Sequence, residues 1–556
     1  MTAVRTLEAV EPPVVSRARR DRPPALVWAL LGLHVAIMVM CSILYPATYG
    51  YDEPQHIDMA YAYSKGLHLY APAERRVAEG VAKTQRGPGF PPRQAFTDFP
   101  VRPRDQRPSF DEQGGNHQLQ GGLPNQQVQH PPLYYLMGAA VLHVPGVGGL
   151  HYDQQIWLLR LLSMLALAPL PLLAWATAKA LLGPGPPALL AAVLPLTVPG
   201  LSRIGASFTN DSLLTLLGAV VVWLLARVLA GDFRLRTAAL LGGALVAALL
   251  TKGFALVLPP VVLAGYVVAG LRHRRRPVAP ALVALGLSGL GLLWWVRNLI
   301  LYGAVQPNGW GPEAYARIVG PPRPAPGGVV QFAHGFAYRL GLRIWGGIGL
   351  PEKPRLAIQL CFGWTFALLL LIAVGLLVGT RARWSRASLA LLCLPAVLTT
   401  LVVASQSWSL FSTHGGKLVA IQGRYLYVGL TGLGVAFAAG LLRILPRRWA
   451  RWAPGAVLVL GVATQVWAWR TLTQAWWVPA DARGRLGPAV RGVVDGLATW
   501  SPFPAGPTFA PFLAAVALAV VALVLAFRTS GDRWVAPPPP RPAPDAPAPP
   551  VPSARP

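Results

Sequence analysis

The sequence predicts an all-α protein that crosses a membrane about twelve times. Three observations carry that prediction. Of the 556 residues, 54% are hydrophobic and only 13% are charged, which is far too apolar for a soluble chain of this size. The apolar residues recur in runs of about twenty, the length at which a helix spans the hydrocarbon core. The arginines gather in short stretches between those runs. A net charge of +28 would otherwise point to a nucleic-acid partner. Cations confined to short loops are what the positive-inside rule produces, so nucleic acid is not expected. Cys41, Cys361 and Cys393 lie inside apolar runs and offer neither a disulfide framework nor metal-ligand spacing.

Taken in order, residues 1–24 are polar, and Arg17, Arg19, Arg20 and Arg22 precede the first run at 25–46. That places the N-terminus in the cytoplasm. The run is longer than a signal-peptide core and lacks a small-residue cleavage site, so it reads as a retained span. A hydrophilic loop follows at 47–131, rich in Gln, Pro, Gly and Arg, and loops of this length are functional or disordered. The apolar piece at 132–150 is short and interrupted by Pro145 and several glycines. If it does not cross, spans follow near 155–182, 188–203, 211–230, 236–250, 253–271, 278–297, 357–379, 386–404, 421–441, 454–470 and 510–527. The basic clusters Arg272–Arg276, Arg381-Ala382-Arg383 with Arg386, and Arg443–Arg451 are then all cytoplasmic; if it crosses, all three face outward. The Lys/Arg bias selects the non-crossing reading. Residues 132–150 become an interfacial helix on the outer side, with Tyr134 and Tyr135 as its anchors, and both termini are cytoplasmic. The expected divisions are a cytoplasmic segment at 1–24, a membrane module at 25–445 with outer loops 47–131 and 303–356, C-terminal spans at 446–527, and a disordered Pro-rich cytoplasmic tail at 528–556.

This topology collects polar residues at one membrane face. Tyr51-Asp52-Glu53-Pro54-Gln55-His56 reads as a helix start directly after the first span, with two adjacent carboxylates at its positive end. His130, Arg203, Asn210-Asp211, Lys252, Arg297-Asn298 and Gln422-Gly423-Arg424-Tyr425 fall at outer span ends. Each has a plain structural explanation: a capped helix, a snorkelling lysine, an interfacial arginine. Their common side favours function, as does Lys252, which sits between two apolar runs with almost no loop and so needs a partner. Carboxylates facing fixed cations suit a general base for an acceptor hydroxyl and a cradle for a departing phosphate. A lipid-phosphate-linked sugar fits such a place, because its headgroup stays at the interface while its tail stays in the bilayer. No G-x-x-x-x-G-K-[ST], dinucleotide, H-E-x-x-H or G-x-S-x-G motif is present.

The chain resembles the GT-C class of integral-membrane glycosyltransferases, which includes the protein O-mannosyltransferases and the lipid A aminoarabinose transferase. Four stretches carry the resemblance: Asp52-Glu53-Pro54 with His56; His130-Pro131-Pro132-Leu133-Tyr134-Tyr135; Asn210-Asp211-Ser212-Leu213; and Trp295-Val296-Arg297-Asn298 with Tyr302-Gly303. More narrowly, Leu250-Thr251-Lys252, Trp345-Gly346-Gly347-Ile348-Gly349 and Gln422-Gly423-Arg424-Tyr425-Leu426 resemble a bacterial branch within that class. The resemblance covers roughly 25–445. It implies a GT-C-like fold with interfacial helices in the first long loop. It also implies an inverting transfer from a polyprenyl-phosphate-linked sugar to a glycan, lipid or protein acceptor at the outer face of the plasma membrane. By the same match Asp52 is the catalytic base or its organiser and Glu53 the fallback. Lys252, Arg297 and Arg424 are candidates for the donor phosphate. His56, His130, Asn210, Asp211, Asn298, Gln422 and Tyr425 complete the substrate-binding candidates. Spacing demands no metal site, but some relatives use a divalent cation near the first-loop acid, and here His56 and Asp58 are the residues that would contribute. Two other functions share these features. A transporter or flippase of envelope lipids also needs polar groups among apolar helices, yet no internal repeat is evident and the polar groups lie at span ends. A polymerase or ligase of lipid-linked glycans would share the donor phosphate site.

Overall fold

The computed structural model describes residues 22–84, 94–349, 355–378 and 385–528. Most of the N-terminal segment, the Arg381-Ala382-Arg383 cluster and the Pro-rich tail lie outside the described residues. Among the described residues the protein is a helical, multi-pass membrane protein. Ten helices are long and apolar enough to cross a bilayer: Ala25–Leu44, Tyr152–Leu182, Asn210–Leu229, Gly253–His273, Val278–Tyr302, Ile358–Leu377, Arg386–Thr413, Gly423–Ile444, Ala453–Trp476 and Ala505–Arg528. An eleventh is broken, with Pro186–Thr197 and Pro199–Gly205 meeting at 68°. Pro199 supplies the reason: it has no N–H to donate, and it holds Val198 at φ −111°, ψ 92°, outside the helical region. Leu235–Leu249 has only 15 residues. It nonetheless returns the chain to the end of the bundle where Asn210–Leu229 began, because Lys252, just beyond it, touches Asp211.

The same kind of contact decides the 132–150 question. Arg160, two turns into its helix, donates to the carbonyls of Ser42 (2.8 Å), Tyr45 (2.7 Å) and Pro46 (2.8 Å) at the end of the first span. The first helix therefore ends where Tyr152–Leu182 begins, and 45–151 makes no net crossing. Within it, Leu133–Leu142 forms a short apolar helix. Tyr134 and Tyr135 are not interfacial anchors: both are fully buried, Tyr134 bonded to Ser163 Oγ (2.7 Å) and Tyr135 to His56. Helical periodicity turns these two neighbours, with Gly138 and Ala139, toward the protein and leaves Leu136 and Met137 on the exposed side.

The basic stretches lie at the opposite end. There Arg227 and Arg234 pair with Asp232, Arg272 reaches Ser388 Oγ (3.2 Å), and Arg443 donates to the carbonyls of Val374 (3.2 Å) and Val378 (2.8 Å). Between the ends, close backbone approach holds the helices together, since apolar burial gives little drive to association inside lipid. A Cβ on Gly218, Gly432 or Gly440 would overlap the carbonyl of Val428, Leu392 or Leu371. The helices beyond 445 share this core. Leu518 lies against Gly32 of the first span, and Gln465 donates to the carbonyl of Leu196 (3.0 Å).

The first long loop is folded over the site end. Asp58 accepts from Arg75 Nε (3.0 Å) and Nη2 (2.6 Å), the Ala78 N–H (2.7 Å) and Asn125 Nδ2 (2.7 Å). Arg107 pairs with Asp153 and donates to the carbonyls of Thr499 (2.5 Å) and Ser501 (3.1 Å), while Arg104 reaches that of Ala498 (2.7 Å). These arginines satisfy the open carbonyls at the end of an amphipathic helix, Leu486–Trp500, which lies between the two expected C-terminal spans and is not one of them. Phe96 sits between Tyr49, Trp476, Trp477 and Trp500 and fastens the same two segments.

Candidate active site

Asp52 begins the helix Glu53–Lys65, whose start is fixed by Pro54 in the first turn. Its backbone is left-handed, at φ 50° and ψ 21°. Its side chain is 36% exposed, and Oδ2 accepts from Arg424 Nη2 at 2.7 Å. Oδ1 accepts no hydrogen bond among the described residues. Arg424 opens the helix Gly423–Ile444 and is almost fully buried; its Nε lies 3.0 Å from Asp211 Oδ2. Asp211 is 1% exposed and its Oδ1 binds Lys252 Nζ at 2.7 Å. Thr209 caps that helix, and Asn210 Oδ1 accepts from Lys252 at 3.1 Å. Four segments, following residues 44, 209, 250 and 422, thus meet in one alternating line of charge: Asp52, Arg424, Asp211, Lys252. Three of its members are sealed, and Asp52 alone opens to solvent.

Glu53, paired with Asp52 in the sequence reading as a catalytic acid, is placed otherwise. It is fully buried. Oε1 accepts from Arg160 Nε (2.8 Å) and the Phe208 N–H (2.9 Å), and Oε2 from Arg160 Nη2 (2.7 Å) and the Gly50 N–H (2.9 Å). A carboxylate with four donors and no path to solvent is an anchor for the loop entry. It has no lone pair left for an acceptor proton. Arg160, its partner, was not singled out from sequence. The available signal was an arginine deep inside an apolar run, which a span retains only with a partner.

The remaining candidates divide. His56 bridges Tyr135 Oη (3.0 Å, from Nδ1) and Thr209 Oγ1 (3.3 Å, from Nε2), behind the charged line. His130 is buried nearby, and its Nδ1 has no hydrogen-bond partner among the described residues. Burial pushes both imidazoles well below the usual histidine range, and the Lys252 charge pushes the same way, so both are neutral. The Tyr425 ring lies 5.1 Å from Lys252 Nζ and packs against Phe254 at a tilt of 38°. Gln422 precedes Arg424 at the turn and is half-buried. Arg297 does not join the line. It lies over Trp294 (5.1 Å) and Tyr302 (5.8 Å) and donates to Asn298 Oδ1 at 3.1 Å. Asn298 in turn donates to the carbonyl of Val305 at 3.3 Å, tying off its helix.

A divalent cation does not fit His56 and Asp58. Both oxygens of Asp58 and both ring nitrogens of His56 are engaged by protein donors and acceptors. Among the described residues no three His, Cys, Asp or Glu side chains converge in metal-binding geometry.

Residues 129–296 match the family model described as dolichyl-phosphate-mannose-protein mannosyltransferase. Over those residues the chain is similar to that family. The matched stretch contains His130, Asn210, Asp211 and Lys252 and ends one residue before Arg297. No curated protein matches the sequence. Solved structures with a similar course include ArnT from Cupriavidus metallidurans bound to undecaprenyl phosphate. It has 16% identity and a TM-score of 0.44, with 91% of this chain and 78% of that chain covered. The same protein in its apo state gives 16% identity and a TM-score of 0.45, with 91% and 77% covered. The oligosaccharyltransferase of Archaeoglobus fulgidus, tethered with an acceptor peptide, gives 12% identity and a TM-score of 0.37, with 90% and 55% covered.

Proposed function

We propose that this protein is a glycosyltransferase that moves a sugar from a polyprenyl-phosphate donor to a cell-envelope acceptor at the outer face of the plasma membrane. One observation carries the reading: a solvent-open carboxylate, Asp52, ends a buried line of paired charges whose other members, Arg424, Asp211 and Lys252, come from three other segments. Asp52 takes the proton of the acceptor hydroxyl. The acceptor oxygen attacks the anomeric carbon as the bond from that carbon to the phosphate oxygen breaks. The phosphate leaves with the electron pair, and attack from the opposite side inverts the anomeric centre. Lys252 and Arg424 stabilise the charge that grows on the phosphate. Asp211 holds the two cations in place before the donor arrives, which lowers the reorganisation needed at the moment of transfer. Tyr425 and the neutral His56 and His130 pack beside the charged line without adding charge. The domain reading follows: 25–445 carries the reacting groups, and the later spans brace the first one.

The test is envelope glycan composition in a deletion strain complemented with wild type or with Asp52→Asn. Wild type restores the missing glycan. The Asn variant inserts normally and loses transfer by about a hundredfold or more. An unchanged glycan sinks the proposal. Movement of lipid-linked sugar across proteoliposomes that ignores Asp52→Asn would support a flippase instead, and a change only in product length would support a polymerase.

A further inference from the structure

Arg203 is fully buried and has no carboxylate partner among the described residues. It stands on the short helix Pro199–Gly205, just after the break in the bent span. Its Nη1 donates to the carbonyls of Gly347 (2.8 Å) and Gly349 (2.6 Å), while Nε and Nη2 have no hydrogen-bond partner there. Its guanidinium carbon lies 3.4 Å from the centre of the Tyr51 ring and 5.5 Å from that of Tyr45. The guanidinium of Arg424 lies 4.3 Å from the same Tyr51 ring. Two guanidinium groups this near one ring cannot share a face without overlapping, so Tyr51 lies between them. The phenol is fixed at its other end too, since Tyr51 Oη donates to the Gly347 carbonyl at 3.0 Å. Tyr45 Oη donates to the next carbonyl, Ile348, at 2.7 Å. A Cβ on Gly347 would stand 2.8 Å from Tyr51 Oη, so the backbone here must be bare for the ring to seat.

A buried cation without a carboxylate is costly, and a purely structural arginine would have its donors satisfied. Here two tyrosine faces and two carbonyls hold the charge, and its remaining field acts across one ring onto Arg424. Like charges repel, so Arg203 drives Arg424 toward Asp52 and Asp211. Tyr51 is also the residue before Asp52, and clamping its ring restricts the backbone that carries the left-handed aspartate.

We propose that Arg203 is a positioning residue for the Asp52–Arg424 pair, acting through the ring of Tyr51 and the Gly347–Gly349 strap. The inference rests on the reading of Asp52 as the reacting carboxylate, but its test does not. The purified full chain in detergent is treated with a water-soluble carbodiimide and an amine, and labelling at each carboxylate is read by mass spectrometry. Only a protonated or loosely paired carboxyl reacts quickly. In wild type Asp52 is held by Arg424 and labels slowly, and Glu53 is sealed. Arg203→Gln removes the charge, and Tyr51→Leu removes the ring. Each is expected to raise labelling at Asp52 by about tenfold, the effect of loosening one opposite charge, with Glu53 still unlabelled. The double variant is expected to label no faster than either single one, because both act along one route. Unchanged labelling in Arg203→Gln overturns the proposal. So does additivity in the double variant, and so does labelling that rises at Glu53 together with Asp52, which would make Arg203 a fold anchor only. Binding of undecaprenyl phosphate by the wild-type protein is measured alongside. Its absence overturns the donor reading and leaves the labelling result standing.

Discussion

Asp52 sits at φ 50°, ψ 21°, a region that costs an L-residue about 1–2 kcal/mol and that aspartate tolerates better than most. What holds it there lies on both sides in sequence. Tyr51 is wedged between two guanidinium groups, and Glu53 is bolted to Arg160 and to two backbone N–H groups. Strain of this kind at a solvent-open carboxylate belongs to a site, where a preset direction for one lone pair is worth its cost. The neighbouring acids therefore differ in the measurement that reveals them. Glu53→Gln leaves Arg160 buried without its counter-charge, and thermal denaturation in detergent should register a loss of about 3 kcal/mol or more. Asp52→Asn, half open to water, should leave the melting temperature nearly unchanged. Equal destabilisation by the two would contradict the division of roles.

At the scale of elements, two helices do work that neither hydropathy nor length announces. The break at Val198–Pro199 turns a span into a shelf, from which Arg203 reaches the Tyr51 ring, and Thr209, just beyond it, reaches His56. The amphipathic helix Leu486–Trp500 is fixed at its C-terminal end by Arg104 and Arg107 from the first loop, so a segment late in the chain braces the segment that carries Asp52. Arg107→Met strips a buried partner from Asp153 and opens the end of that helix. Limited proteolysis between 477 and 504 should become faster, with a stability loss of about 3–5 kcal/mol. Adding Asp153→Leu to the same chain should recover part of the loss, because no charge is then left alone. Failure of the double variant to recover would point to the helix-end bonds as the larger contribution.

The whole molecule separates its charges by end. The site end holds the paired line and the folded loop, and the other end holds Arg227, Arg234, the Arg272–Arg276 cluster and Arg443. Under the positive-inside rule the site end faces outward. Single cysteines test this cleanly, since Cys41, Cys361 and Cys393 are all buried. An impermeant maleimide on intact cells should label Gln120→Cys in the first loop and reach Arg275→Cys only after lysis. The reverse pattern would turn the molecule over and remove the outer-face donor. How the spans are counted belongs at this scale too. Leu235–Leu249 is too short by length alone, and only the meeting of Lys252 with Asp211 identifies it as a full return.

The sequence by itself determined the membrane class, the rough positions of the spanning helices and the gathering of Asp52, Asp211, Lys252 and Arg424 at one end. These follow from local quantities: the length of apolar runs, the placement of arginines and the proline that starts the Asp52 helix. It did not determine which of two adjacent acids is open. Nor did it reveal that Tyr134 and Tyr135 face inward, that Arg297 stands apart, or that Arg160 and Arg203 matter. Those are matters of saturation, and a carboxylate is saturated by groups distant in sequence. Glu53 is closed by Arg160, 107 residues on, and by the N–H of Phe208, 155 residues on, whereas Asp52 is held by Arg424, 372 residues on, at only one of its oxygens. Only the tertiary structure brings those partners to a single pair of neighbours and leaves one carboxylate oxygen of Asp52 free.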